Sequence, residues 1–265
     1  MATMDAVRFE KQLSTPTQEK LAAEAPLQIT VNDVAFTVTM RTPGADRELA
    51  TGLLFTEGII SAREEILSLV PAPNTLRATI RPAAPSAAKL TQRSLISASS
   101  CGVCGKTELC DLDMPVTAIV SGLTLNPSQL AAMQAQMRDN QRLFGETGGM
   151  HAAAAFAING KLLALFEDIG RHNAVDKTVG YLLAENLLPE AALLFVSGRV
   201  SYEIVTKTHR AGIPFLAAVS AVSDMAAEMC GRLGITLLGF CREDRATAYA
   251  HAERLQPDYK HARTA

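Results

Sequence analysis

The chain has 265 residues, 48% of them hydrophobic and 20% charged, which is enough to bury a core and long enough for one large domain or two smaller ones. A formal net charge of −2 provides neither a global basic field for nucleic acid nor an acidic arm. The polar start lacks a signal-peptide core, no apolar run is long enough to span a bilayer, and five cysteines in so long a chain fit a reducing, cytoplasmic setting.

Taken in chain order, residues 27–40 (LQITVNDVAFTVTM) alternate about Asn32-Asp33 and predict a hairpin. Leu49, Leu53 and Leu54 predict a helix over 46–60 broken at Gly58, and 75–81 predicts a third strand. The stretch 81–100 is rich in Pro, Ala and Ser and has no clear period. It reads as a tether delivering the segment after it, or as an ordinary surface loop.

That next segment is Cys101-Gly102-Val103-Cys104-Gly105-Lys106. A structural zinc site needs four ligands, and no second CxxC or HxxxH accompanies this pair, although Cys110 and His151 could be recruited. The nucleobase-deaminase signature is absent: no HxE lies upstream, and Ser100 stands where that pattern has Pro. A thioredoxin-type pair would follow a strand and open a helix, whereas this one follows the tether between glycines. A carrier role also suits it: one thiolate holds sulfur as a persulfide, the second resolves it, and Lys106 lowers the thiol pKa. On the residues alone, redox, zinc and carrier readings stay open. Cys110, Cys230 and Cys241 read as buried, inert thiols.

Beyond a boundary near residues 111–122 the rhythm changes. Asn126-Pro127-Ser128 opens a helix to about Leu143. HAAAAFAINGKLLALFED predicts a hairpin closed by a two-residue type I′ turn at Asn159-Gly160. Helices over 173–185, 201–211 and 223–233 then alternate with apolar strands over 191–197, 213–219 and 235–240, which predicts a sheet buried on both faces with parallel pairing.

Polar segments follow these strands: Asp168 to Asn173, Ser197-Gly198-Arg199 and Ser220 to Asp224. Ligands bind outside the carboxyl ends of strands in open α/β sheets, and helix N-termini with Arg171 and Arg199 suit phosphate. An exposed Asp168 or Asp224 could read a guanine edge; each could equally be a cap residue, and Arg171 could simply pair with Glu167 or Asp168. His172 and Asp176 share a helix face, as an acid/base pair or a structural hydrogen bond. Lys207, His209 and Arg210 read as a solvated helix face or a docking patch. Thr147-Gly148-Gly149-Met150-His151 is a glycine turn without P-loop order.

The segments SCGVCGK, TGGMHAAAAF, EDIGRHNAVDK, SGRVSYEIVTK and AGIPFLAAVSA, in this order, resemble the formate dehydrogenase accessory sulfurtransferase (FdhD) family over roughly residues 47 to 250. The resemblance implies an α/β fold, a cytidine-deaminase-like three-layer sandwich with a smaller β-rich N-terminal subdomain. Residues 1–115 would end in the CxxC loop, and residues 116–255 would bind the cofactor. It implies a sulfurtransferase that takes persulfide sulfur from an IscS-type cysteine desulfurase. The sulfur would pass to the molybdenum (or tungsten) bis(guanine dinucleotide) cofactor before that enters the formate dehydrogenase apoenzyme. Cys101 matches the family's persulfide-bearing cysteine and Cys104 the second thiol. The family's cofactor stretch falls on Phe240, Cys241, Arg242, Glu243, Asp244 and Arg245, beside the strand-end candidates Asp168, Arg171, His172, Ser197 and Arg199. Glu243-Asp244 depart from the small residues expected beside a phosphate-rich ligand. A homodimer with no tightly held metal, no nucleic acid and no membrane partner is expected. Two other readings are a cofactor chaperone that needs Arg199 but not the thiols, and a dithiol oxidoreductase that turns over generic disulfides.

Overall fold

The computed structural model describes residues 2–81, 95–97, 117–243 and 245–256, with backbone alone at 95–97. Both CxxC cysteines, Cys110, Asp244, most of the 81–100 stretch and the 115/116 domain boundary lie outside these residues.

The chain opens with an antiparallel pair, β1 (Ala2–Glu10) and β2 (Leu13–Leu21), exposed on both faces; the sequence reading had found nothing here. Next come β3 (Ala25–Val31) and β4 (Val34–Arg41), joined where expected. Asn32 (φ 47°) and Asp33 (φ 64°) both take left-handed backbone, as a type I′ turn requires. The Asn32 side chain accepts from Ile80 N at 2.9 Å and donates to Ile80 O at 3.2 Å, pinning this turn to the neighbouring strand. Strands β5 (Ile66–Ala72), β6 (Thr75–Ile80) and β7 (Leu95–Ser97) complete a five-stranded sheet of order β5-β6-β3-β4-β7. The sequence signalled β6 but not β5 or β7, its two edge strands; β5 is largely exposed and β7 has three residues.

Helix α1 (Asp46–Thr56) follows β4 and ends before Gly58, whose φ of 69° suits only glycine well. In the second half come α2 (Ser128–Asn140), α3 (Arg142–Thr147), β8 (His151–Phe156), β9 (Leu162–Asp168), α4 (Arg171–Ala184), β10 (Leu193–Val196), α5 (Tyr202–Arg210), β11 (Phe215–Ala218), α6 (Asp224–Leu233), β12 (Thr236–Arg242) and β13 (Arg245–Ala250). The helix expected to run to Leu143 breaks at Gln141 (ψ 75°), where Asn140 donates to Gln136 O instead of extending it.

These strands form one six-stranded sheet of order β13-β12-β11-β10-β8-β9. Strands β10, β11 and β12 are parallel, as their apolar runs predicted, whereas β8, β9 and β13 are added antiparallel. The β8–β9 turn differs from the expected type I′ form. Only Gly160 has positive φ (85°), Gly160 N donates to Ala157 O, and Ala157 N donates to Lys161 O, so the loop spans 157–161. A type I′ turn needs left-handed backbone at both central residues, and Asn159 does not supply it.

Alternation along the sheet builds two cores. Ala152, Ala154, Phe156, Leu193, Phe195 and Phe215 pack with Leu130, Met133 and Met137 of α2 on one face. Ala153, Ala155, Leu194, Val196 and Leu216 pack with α4, α5 and α6 on the other. Burying each of these large side chains is worth about 1.5–3 kcal/mol, so helices cover both faces in three layers.

The second core continues into the N-terminal half, because α1 lies on α4 at a glycine contact. A Cβ on Gly52 would overlap Asp176 O, and one on Gly180 would overlap Glu48 O. Across this seam Lys207 of α5 donates to both oxygens of Asp176 at 2.8 Å and to Thr56 of α1 at 3.0 Å. Burial works against this ammonium, but Asp176 and Glu57 outweigh it and raise the Lys207 pKa above its ordinary value. Lys207 is therefore not on a solvated face, whereas Arg210 is exposed and donates to Phe55 O of α1 and to Ile60 O just beyond it. No helix among the described residues is long and apolar enough to cross a membrane.

Candidate functional site

Because β9, β10, β11 and β12 run the same way and β8 runs against them, their carboxyl ends and the start of β8 form one edge. Four inter-strand spacings make this edge about 19 Å long from Asp168 to Phe240. Helices α4, α5 and α6 all begin along it, after the polar turns 169–170, 197–201 and 219–223.

At one end of the edge sits Asp168, which is wholly buried. Its carboxylate takes Lys177 Nζ at 2.7 Å, Gly170 N at 2.8 Å, Asn173 Nδ2 at 3.0 Å and Thr42 N at 3.1 Å. Lys177 and Asn173 also donate to Thr42 O and Met40 O, so the hub fastens the N-terminal half to the start of α4. The expectation of an exposed Asp168 reading guanine is corrected by this burial, since its acceptor positions are taken by the scaffold. Asp224, the alternative, is exposed and accepts from Met225 N, while Ser223 caps α6 through Ala226 N as expected.

Next to the hub lie Arg171, His172 and His151. His151 pairs in register with Asp168 across β8–β9. A Cβ on Gly198 would stand 3.2 Å from His151 Nδ1 and 3.7 Å from Arg171 Cβ, so this glycine lets β8, β10 and α4 close on one another. Arg171 pairs with neither expected partner: Glu167 accepts Leu143 N and Phe144 N, and Asp168 holds Lys177. Its Nε is buried and, among the described residues, without any hydrogen-bond acceptor.

His172 makes no bond to Asp176, contrary to one expectation. Its Nε2 lies 3.4 Å from Ser201 Oγ, and that hydroxyl donates to Glu203 Oε2 at 2.6 Å. With the Ser201 proton committed to Glu203, the hydroxyl can only accept from the imidazole, which fixes the Nε2–H tautomer and leaves Nδ1 as an acceptor. Burial, then Arg171 and Lys207, lower the His172 pKa to about 4 despite Glu203. Burial, then Arg171, lower that of His151, with Asp168 opposing. Ser201 precedes α5 but does not cap it, its hydroxyl being used in this chain.

Ser197 accepts Ala152 N at 2.9 Å and so ties β8 to β10, while Arg199 is exposed on the turn above. At the far end, the stretch 240–245 is kinked. Phe240 (φ 51°) and Glu243 (φ 48°) are left-handed, and the β12–β13 register shifts between Gly239 and Arg242. Phe240 N donates to Ser220 O, joining this stretch to the turn after β11, and its ring is 42% exposed. Arg242, Glu243 and Arg245 are exposed, whereas the Cys241 side chain is buried under the sheet, where burial lifts its thiol to about 11. Cys241 can therefore meet a ligand only through its backbone. Sequence reasoning did not assign His151, Ser201 and Glu203 to this site; the signal for His151 was its place after a glycine turn at the start of a strand. A hollow of about 550 Å³ on the β1–β2 hairpin is lined by Asp5, Ala6, Val7, Pro16, Thr17 and Gln18, and the Gln18 amide donates to Asp5 there.

With this geometry in place, comparison with known proteins is specific. The FdhD/NarQ family model matches residues 22–256. The sulfur carrier protein FdhD of Mycolicibacterium paratuberculosis is 43% identical over 251 residues, covering 89% of this chain and 92% of that protein. The sulfur carrier protein FdhD of Saccharolobus solfataricus is 36% identical over 255 residues, covering 95% and 96%. A crystal structure of a protein described as a formate dehydrogenase accessory protein, from Desulfotalea psychrophila, superposes with a TM-score of 0.78 at 23% identity, covering 96% of this chain and 99% of that one.

Proposed function

The chain belongs to the FdhD/NarQ family, and from that premise we propose that it is a sulfur carrier serving formate dehydrogenase. The observation that carries the reading is 43% identity, across 89% of the chain, to a protein named sulfur carrier. In this proposal the Cys101 thiolate attacks the outer sulfur of a persulfide on an IscS-type cysteine desulfurase. The donor's S–S bond breaks, its cysteine leaves as a thiol, and Cys101 holds the sulfur as a persulfide with no net oxidation. Attack by the Cys104 thiolate on the inner sulfur then expels sulfide toward the acceptor metal. A Cys101–Cys104 disulfide remains, which a cellular dithiol reduces.

The acceptor we propose is the molybdenum bis(guanine dinucleotide) cofactor, bound as cargo along the strand-end edge. An edge of about 19 Å suits an elongated dinucleotide. Arg171, His172, Ser197 and Arg199 lie toward one end and Phe240, Cys241, Arg242, Glu243 and Arg245 toward the other; Asp244, assigned with them from the resemblance, lies outside the described residues. The exposed Phe240 ring offers a stacking surface for a base, and the arginines offer bidentate donors to phosphate. The three-layer packing with parallel β10–β12 supports the cytidine-deaminase-like description of the core. A cytoplasmic homodimer completes the proposal.

The test is mass spectrometry of the intact protein and its peptides after incubation with cysteine and a cysteine desulfurase. An added sulfur on Cys101 that is lost on reduction, and that is missing in Cys101→Ala, is the expected result. A bare thiol, or a disulfide alone, would leave only a cofactor chaperone or a dithiol oxidoreductase.

A further inference from the structure

The buried Nε of Arg171 has no acceptor among the described residues, and a buried charged donor left unsatisfied is costly unless a ligand meets it. The two imidazoles that feel its charge have acceptor atoms that are also unused: His172 Nδ1, and His151, for which the described residues provide no hydrogen bond. The three side chains come from β8 and the first turn of α4, and the missing Cβ of Gly198 lets His151 come close to Arg171. The neighbouring carboxylates are already engaged, Asp168 by Lys177 and Glu203 by Ser201. Among the described residues no group of three His, Cys, Asp or Glu side chains is arranged for a metal ion, so the cluster suits an anion rather than a cation.

We propose that His151, Arg171 and His172 together hold a phosphate-type oxyanion, Arg171 as the permanent charge and the two imidazoles taking up protons as the anion enters. The inference rests on the cofactor-binding part of the reading above and adds to it a proton-coupled anchor for a phosphate of the cargo. The charge arithmetic is local. Around His172 stand Arg171 of its own helix, Lys207 and Glu203 of α5, and His151 of β8; around His151 stand Arg171 and Asp168. Of these, Lys207 is neutralised by Asp176 and Asp168 by Lys177, which leaves Arg171 and Glu203 formally balanced; burial and the Arg171 charge outweigh Glu203 at His172 and keep its imidazole neutral. A dianion brings negative charge to Arg171 and both rings, and each imidazole can then carry a proton and donate to it. Glu203, held below the ordinary carboxylate range by Ser201 and His172 despite burial, stays ionised and supports the imidazolium.

The probe is sulfate, a tetrahedral dianion that does not itself titrate at neutral pH, added to the full chain and followed by the NMR titration of the histidine ring protons. The expected result is that saturating sulfate raises the midpoints of His151 and His172 by at least about one pH unit each. Sulfate affinity should then fall at least tenfold for each such proton as pH is raised past these midpoints. Arg171→Ala should abolish the effect. Unmoved midpoints, or sulfate binding that Arg171→Ala leaves intact, would overturn the proposal; the wild-type titration decides it even where the variant folds poorly. Guanosine diphosphate distinguishes the source. If it moves the same midpoints, the anchor takes a nucleotide phosphate; if only inorganic anions do, it takes a free oxyanion. Persulfide formation on Cys101 does not pass through these residues, so its failure and the failure of this site would be read separately.

Discussion

The first turn of α4 and the two turns after it carry similar residues in opposite circumstances. Asp176 and Lys177 are almost fully buried, and each is paired: Asp176 with Lys207 and Thr56, Lys177 with Asp168 and Thr42. Arg171 and His172, one turn earlier, are only partly buried; Arg171 Nε has no acceptor among the described residues, and His172 Nε2 has only long contacts, 3.4 Å to Ser201 Oγ and 3.8 Å to Glu203 Oε2. Within one helix, paired charge marks scaffold, and unpaired charge marks surface kept for something the chain itself does not contain. The same helix thus holds the two halves together through its middle and brings Arg171 and His172 to the strand-end edge through its N-terminus. Breaking the middle should cost folding, and altering the end should change only response to pH and ligand.

The largest expected effect lies at the glycine seam. Gly180→Ala places a methyl group on Glu48 O, which backbone cannot evade, so little folded protein should be recovered, or stability should fall by more than about 4 kcal/mol in chemical denaturation. Gly231→Ala in α6, where a Cβ meets nothing within 4 Å, should instead be neutral or stabilise by about 0.5–1 kcal/mol. Similar losses for both would remove the close helix approach as the explanation.

Smaller, but still severe, is loss of the buried ion pair. Lys207→Met leaves the Asp176 carboxylate buried beside Thr56 alone and should cost about 3–5 kcal/mol. The double variant Lys207→Met with Asp176→Leu should recover much of that, because no buried charge then remains unpaired. If the double variant is no better than the single one, the pair acts through packing rather than charge.

The scaffold was far more legible than the site. Apolar runs such as AALLFVS and IPFLAAV announce buried parallel strands without any need of partners, and Asn32-Asp33 announces a turn. The exposed pair β1–β2 and the edge strand β5 were missed because their side chains face water on both sides and impose no period. At the site, residue types were found but not their states. Asp168 and Arg171 sit three apart in a polar segment, and no spacing says that one is saturated by Lys177 while the other is left open. That depends on Thr42, more than a hundred residues earlier, closing over the hub. The approach of His151 toward Arg171 likewise depends on an absent Cβ at Gly198 in a third segment.

The smallest effect belongs to the open end of α4 and concerns pH. His172 is held neutral, its pKa lowered to about 4 by burial and by Arg171 and Lys207, whereas an unfolded histidine titrates near 6.5. Between those values the unfolded chain binds the extra proton, so stability rises with pH across this window. The contribution is present in full above about pH 6.5 and disappears as pH falls toward 4, amounting to on the order of 2–3 kcal/mol. His172→Gln, which retains a donor toward Ser201, should show a shallower loss of stability between pH 6.5 and 4 than the parent chain. Denaturation midpoints across that range make the comparison directly. Parallel pH profiles for the two proteins would mean that the imidazole is already solvated or charged, and that the contrast between the two parts of α4 is one of packing alone. A shallower profile in His172→Gln, matched by the parent chain once sulfate is added, would instead tie the neutral imidazole to the anion proposed for the open end of the helix.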